Sequence, residues 1–265
     1  MVHPDATEHT LVVTDGRALY PVNVLGSGDG ALFLFDGMLP PEGRDLWVVN
    51  GIEKALSAED THADQNAMIC FTTGTRIRTP LGARAVETLV PGDLVQTRDN
   101  GAQPIIWAGS RRVGSRELRM VRELRPIRIR AGALGTGEPD SELLVSPRHR
   151  MLLRGDAARD LFGESEVLVE AEDLIDDVNI LTCNRCRTFR YHHLMLESHQ
   201  VLWANELPSE SFHPADFNLG RLDDLQRLRF IESVPAIYAR PGDYGVHARR
   251  VLNRAEAAIL SHARH

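Results

Sequence analysis

Short apolar runs, each broken by glycine, proline or asparagine, dominate residues 70–212. That rhythm leaves little room for long helices and favours a fold built from many brief strands. In "TRIRTPLGARAVETL" the Pro-Leu-Gly reads as a hairpin turn between alternating segments. In "DLVQTRDNGAQPIIWAG" Asp-Asn-Gly stands where a tight primed turn would sit. The runs "LRPIRIRAGAL", "ELLVSPRHRMLL", "EVLVEAEDLI", "VNILT" and "FRYHHLML" continue the series. The expectation is a compact all-β fold. An internal echo points the same way: at an offset of 83, Val86, Glu87, Asp93 and Val95 match Val169, Glu170, Asp176 and Val178. A duplicated β-subdomain with pseudo-twofold symmetry would leave such a trace.

The flanks differ from this region. Residues 1–69 contain short apolar runs ("TLVVTDG", "ALFLFDG", "DLWVVNG"), a helical patch "GIEKALSAED" and a polar linker "AEDTHADQNA". They carry eleven acidic and three basic residues, a net of −8, whereas residues 70–265 carry a net of +1. The shift places a boundary at Cys70. After Phe212 the segments "DDLQRLRFIESV" and "NRAEAAILSHARH" read as short amphipathic helices. Three segments are therefore expected: a β-rich part with linker at 1–69, a β-domain at 70–211 and a helical extension at 212–265.

No run approaches the ~18 apolar residues of a membrane span. The opening "MVHPDATEHTLVV" has no basic start before an apolar core, so a cytoplasmic protein, or one exported without a cleavable signal, is expected. The basic run "RMVRELRPIRIR" reads as the solvated face of a strand; without interleaved aromatics it predicts no nucleic-acid partner. Three cysteines cannot all pair, which argues against a disulfide scaffold. Cys183 and Cys186 stand in C-x-x-C spacing. A redox or zinc role needs a βαβ context or a second ligand pair, so packing or a loop thiol pair is the simpler reading. No metal or cofactor is expected.

Chemistry concentrates elsewhere. Cys70 opens the β-region. Ser146 and His149 lie three residues apart beyond an apolar strand, where Pro147 bends the chain. "YHHLMLESHQVLWAN" supplies His192, His193, Glu197 and His199, and Asn205 reads as a turn residue. Regular alternation would put His193, Met195, Glu197 and His199 on one face.

The ordered set "CFTTGTRIRTP", "VETLVPGDLVQTRDNGAQPIIWAG", "LLVSPRHRMLL" and "HLMLESHQVLWANELPSESFHP" resembles the Hint family. These are the self-processing domains shared by Hedgehog C-terminal regions and inteins. The bacterial branch without a splicing end fits best, and the tail "RRVLNRAEAAIL" is similar to that branch.

The resemblance implies a single-turnover reaction in which Cys70 attacks the carbonyl of Ile69 in an N-to-S acyl shift. The N-terminal segment would be the acyl donor, and water or another nucleophile would resolve the thioester. By the same resemblance His149 protonates the departing nitrogen. Ser146, in place of the usual threonine, holds the carbonyl or orients the histidine, while Glu197 and His199 assist. Three departures bear on this. Thr73 replaces a proline. Glu210-Ser211 stands where an intein carries His-Asn, so complete splicing is not expected. Ala108-Gly109-Ser110 lacks the acidic residue of sterol-transferring relatives. The alternatives are a Hint-like scaffold acting as a binding or structural module, and a redox or zinc protein built on Cys183 and Cys186.

Overall fold

The computed structural model describes residues 8–14, 19–25, 32–35, 39–40, 47–50, 69–121, 124–184, 186–217 and 222–263. The chain divides into two units, Met1–Ala63 and Asp64–His265. In the first, strands Glu8–Thr14, Leu19–Leu25, Leu32–Phe35 and Trp47–Asn50 form a sheet in the order third, second, first, fourth. The expected helix over "GIEKALSAED" and the linker after it lie outside the described residues.

The second unit is mostly β, with a short helix near its C-terminus, as expected. One sheet has six strands, in the order Trp107–Val113, Phe189–Met195, Phe71–Thr72, Leu143–Val145, Ile127–Ile129, Ile180–Thr182. A nine-stranded sheet runs from Arg250–Val251 through Glu166–Glu170, Arg150–Arg154, Leu207–Glu210, Val201–Ala204 and Arg76–Thr79 to Gly82–Ala85. Leu94–Thr97 and Gly101–Pro104 pair off its side.

Several turns follow from their residues. Thr79 pairs with Gly82 across a two-residue loop, Pro80-Leu81. Thr97 pairs with Gly101, so the Asp-Asn-Gly turn has a three-residue loop closed by a left-handed Gly101 (φ +63°), not the two-residue primed turn expected. A primed turn does occur at Asn205-Glu206, both with positive φ, between Ala204 and Leu207. There Asn205 accepts the Arg76 N–H through Oδ1 and donates from Nδ2 to the Glu142 carbonyl.

The residues matched at an offset of 83 are not equivalent in the structure: Val86 and Glu87 lie in a 3-10 turn, Val169 and Glu170 in a strand. Strand Gly82–Ala85 leads into a 3-10 turn Val86–Thr88 and strand Leu94–Thr97. Strand Glu166–Glu170 likewise leads into a 3-10 turn Ala171–Leu174 and strand Ile180–Thr182. The residues before the two turns, Ala85 and Glu170, share φ/ψ near −64°/133° and −62°/138°, an offset of 85. Identity matching missed this because the buried positions need only be apolar.

Two helices were not anticipated, Ser115–Met120 and Asp156–Phe162. The first takes the start of the basic run read as a strand, and among the described residues of that run Ile127–Ile129 forms the strand. The helices Asp224–Ser233 and Arg254–Ala263 fall where expected. Asp223 caps the former by accepting the Gln226 N–H. Among the described residues no helix is long and apolar enough to cross a membrane.

Candidate active site

The two-residue strand Phe71–Thr72 lies between Leu143–Val145 and Phe189–Met195. Phe71 is opposite Val145 on one side and His192 on the other, both antiparallel. One step back along the strand, the same register brings Cys70 between Ser146 and His193. Directly opposed residues of antiparallel strands point to one sheet face. Ser146, Cys70 and His193 therefore meet in a row although 76 and 123 residues separate Cys70 from its neighbours.

The row grips the Ile69–Cys70 peptide bond. The Cys70 N–H donates to Ser146 Oγ at 2.9 Å, and the Ser146 N–H donates to the Cys70 carbonyl at 3.0 Å. His193 Nδ1 lies 2.8 Å from the Ile69 carbonyl oxygen, so that nitrogen carries the proton and donates. The Cys70 Sγ is 3.4 Å from Nδ1 and 3.5 Å from Nε2 of the same ring. Ser146 thus holds the amide nitrogen, and His193 holds the carbonyl.

This bond is buried. Ile69 and Cys70 are buried with Trp107, Tyr191, Phe212, Phe217, Leu222, Phe230 and Tyr244 in one apolar cluster. His193 is boxed by Trp107, Phe212 and Phe217, with ring centroids 5.8, 5.0 and 5.1 Å away. Burial lowers its pKa to about 4, against the raising effect of the Ile69 carbonyl. Burial pushes the Cys70 thiol well up, opposed by the Ser146 hydroxyl and the Arg111 charge. The resting pair is therefore neutral thiol and neutral imidazole.

Ser146–His149 is a turn, closed by the His149 N–H on the Ser146 carbonyl at 3.1 Å with Pro147 at its second position. His149 packs on Phe71, centroids 4.4 Å apart, and neither ring nitrogen has a hydrogen-bond partner. Burial lowers its pKa to about 4, while Glu210 and the nearby Cys70 backbone raise its basicity in part. Thr73, in the place of proline, keeps the cysteine's turn closed. Its N–H donates to the Arg190 carbonyl, its Oγ1 meets His192 Nε2 at 2.9 Å, and the Thr75 N–H reaches the Thr72 carbonyl.

Glu197 and His199 are not brought to the junction. The strand ends at Met195, so the alternation that would align them with His193 stops there. Glu197 is exposed beside Asn100 and Gln200. His199 is buried in another cluster: its Nδ1 accepts the Ala248 N–H, leaving Nε2–H to donate to Glu210 at 3.2 Å. Glu210 also accepts the Arg150 N–H at 2.9 Å and its guanidinium at 3.3 Å. Burial opposes its ionisation, but His199 and Arg150 hold its pKa below the usual carboxylate range. Glu210 and Ser211 thus serve as structural acceptors, Ser211 Oγ taking the Gln200 N–H.

His193 is the residue that sequence reasoning left without a role. Its one signal was position, in an apolar strand with an imidazole facing the same side as Tyr191 and Met195. Cys183 and Cys186 are joined in a disulfide, which removes them as zinc ligands and corrects the expectation of a loop thiol pair.

A family model for the Hint domain matches residues 69–216. No curated protein matches the chain. Similar solved structures include the bacterial intein-like domain of Clostridium thermocellum, at 11% identity over 55% of this chain and 100% of that one, with a TM-score of 0.31. The MchDnaB-1 intein is another, at 10% identity over 52% and 98%, with a TM-score of 0.31. The family match spans more than half of the chain and begins at the residue whose carbonyl His193 holds: this protein belongs to the Hint domain family.

Proposed function

We propose that this Hint domain cleaves its own chain between Ile69 and Cys70 by an N-to-S acyl shift, without completing splicing, and that water or another nucleophile resolves the thioester. One observation carries the reading: a single peptide bond is held at its oxygen by an imidazole N–H and at its nitrogen by a serine hydroxyl, with a thiol against the same imidazole.

In this reaction the thiol proton moves to His193 Nε2, the nitrogen left as acceptor. Sγ adds to the Ile69 carbonyl carbon while Nδ1–H stabilises the developing oxyanion. The C–N bond breaks as the Cys70 nitrogen takes up the proton that His193 received, relayed through the Ser146 hydroxyl, or one that His149 has first taken from solvent and gives up as a strong conjugate acid. The thiol proton is in effect transferred to the new amine, so the shift is neutral overall. The Glu210-Ser211 pair has no asparagine to cyclise, which supports cleavage without splicing.

A second reading, a Hint fold that holds the junction intact, is favoured by the complete burial of the thiol and its raised pKa. Intact-mass analysis separates the two. The parent chain, Cys70→Ala and His193→Ala are incubated with and without hydroxylamine or dithiothreitol. Cleavage after Ile69 in the parent alone is expected; a parent that stays intact in all conditions refutes self-cleavage.

A further inference from the structure

His213, Asp216 and His247 lie apart from the scissile bond, and the reaction above uses none of them. Their ligand atoms all fall within 4.8 Å of one another. Donors sharing one zinc at about 2.0–2.2 Å stand roughly 3–4 Å apart, so small side-chain movements would close the set. We propose that these three residues bind a divalent transition-metal ion, with Zn2+ the best match to two imidazoles and one carboxylate, and that the ion fastens the segment covering Cys70.

The local bonding prepares each ligand. His213 Nε2–H donates to the Gly245 carbonyl at 3.1 Å, which leaves the lone pair on Nδ1. That lone pair is engaged only by the Ala215 N–H at 3.3 Å. A ligating histidine commonly anchors its other N–H on a carbonyl in this way. His247 Nε2 meets Asp216 Oδ2 at 2.7 Å, a contact in which a metal ion can replace the shared proton, released to solvent. Side-chain exposures of 29% for His247 and 23% for Asp216 give an ion a path from solvent and leave room for water at the remaining position.

Charge also permits it. Arg150 contacts Asp216 at 2.6 Å, yet it is shared with the carboxylates of Glu210 at 3.3 Å and Glu170 at 3.8 Å. The Arg150 charge is therefore not spent on Asp216 alone, and Arg148 faces Glu170 rather than the three ligands.

The placement gives the ion a consequence. His213 and Asp216 stand at the start of the covering segment, and His247 follows its end. Between them Phe217, Leu222, Phe230 and Tyr244 pack into the cluster that buries Ile69 and Cys70. A metal bridging its two ends would tie the base of this cover and suppress its opening.

The test uses the full-length Cys70→Ala chain, so that neither cleavage nor a free thiol intrudes. Titration with Zn2+ alone, by calorimetry, is expected to give one site that His247→Ala or Asp216→Asn weakens by roughly tenfold or more. Co2+ should give visible bands without a thiolate charge-transfer band. Hydrogen exchange across 222–245 should slow on adding Zn2+ in the Cys70→Ala chain, and not when His247→Ala is added. Circular dichroism identifies any variant that fails to fold; His247→Gln then replaces it. Absence of binding, or a zinc stoichiometry and affinity unchanged by both substitutions, overturns the site. Unchanged exchange at saturating Zn2+ overturns the clamp.

Discussion

Acidification should expose the cost of keeping His149 and His193 neutral. Each is buried, and burial lowers its pKa to about 4 from an ordinary 6.5. The unfolded chain binds these protons as pH falls through 6.5, while the folded protein binds them only near 4. Stability is therefore lost between about pH 6.5 and 4, with no effect of these groups above that window. At pH 5 the penalty is about 2 kcal/mol per imidazole, against a typical total of about 5–15 kcal/mol. Glu170 works the other way. Burial raises its pKa to about 7, so protonation favours the folded state as pH falls from 7 to 4.5, offsetting about 2 kcal/mol at pH 5. The net change in the parent is thus a poor readout, and a difference isolates each histidine. Urea unfolding followed by tryptophan fluorescence at pH 7 and pH 5 gives the pH-dependent loss for the parent, His193→Gln and His149→Gln. Each variant, whatever its stability at pH 7, is expected to lose about 2 kcal/mol less than the parent on acidification. A variant whose loss matches the parent's within about 0.5 kcal/mol would falsify the assignment of that histidine as buried and neutral.

Other outcomes follow from the same contacts. Glu210→Ala strips a buried carboxylate from Arg150 and His199 and should cost about 3–5 kcal/mol in urea unfolding at pH 7; a loss under about 1 kcal/mol would contradict the buried pair. Ser146→Ala leaves the buried Cys70 N–H without its acceptor. About 1–3 kcal/mol of stability should go with it, along with a slower hydroxylamine-induced cleavage, and a variant cleaving at the parent rate would remove serine from the proton path. Gly109→Ala would set a methyl 2.3 Å from the Trp107 ring that lies along His193, so a destabilisation of about 1–3 kcal/mol with a changed Trp emission is expected; unaltered stability would show that the ring moves freely.

Much of the domain was legible because strands and turns are local. Short apolar or aromatic runs mark Arg150–Arg154, Glu166–Glu170 and Phe189–Met195, and Gly82 marks the hairpin between Arg76–Thr79 and Gly82–Ala85. The helix Ser115–Met120 was not legible, since six residues with a single buried leucine carry too little periodicity. The like order of strand, 3-10 turn and strand at an offset of 85 escaped because identities cannot report it: Ala85 and Glu170 share an extended backbone and no side-chain chemistry.

The same division runs through the site. A cysteine at the head of a β-region, a serine and histidine around a proline, and a histidine-bearing strand could all be read from the chain alone, because each is a neighbour relation along it. Which of them touch was decided only by pairing. Placing Phe71 against both Val145 and His192 carries Ser146 and His193 onto the Ile69–Cys70 bond, whereas the turn after Met195 sends Glu197 to solvent and His199 to Glu210. A shift of one residue in either pairing would turn those side chains to the opposite face. That register is set by burial of whole strand faces across more than a hundred residues, and no local pattern contains it.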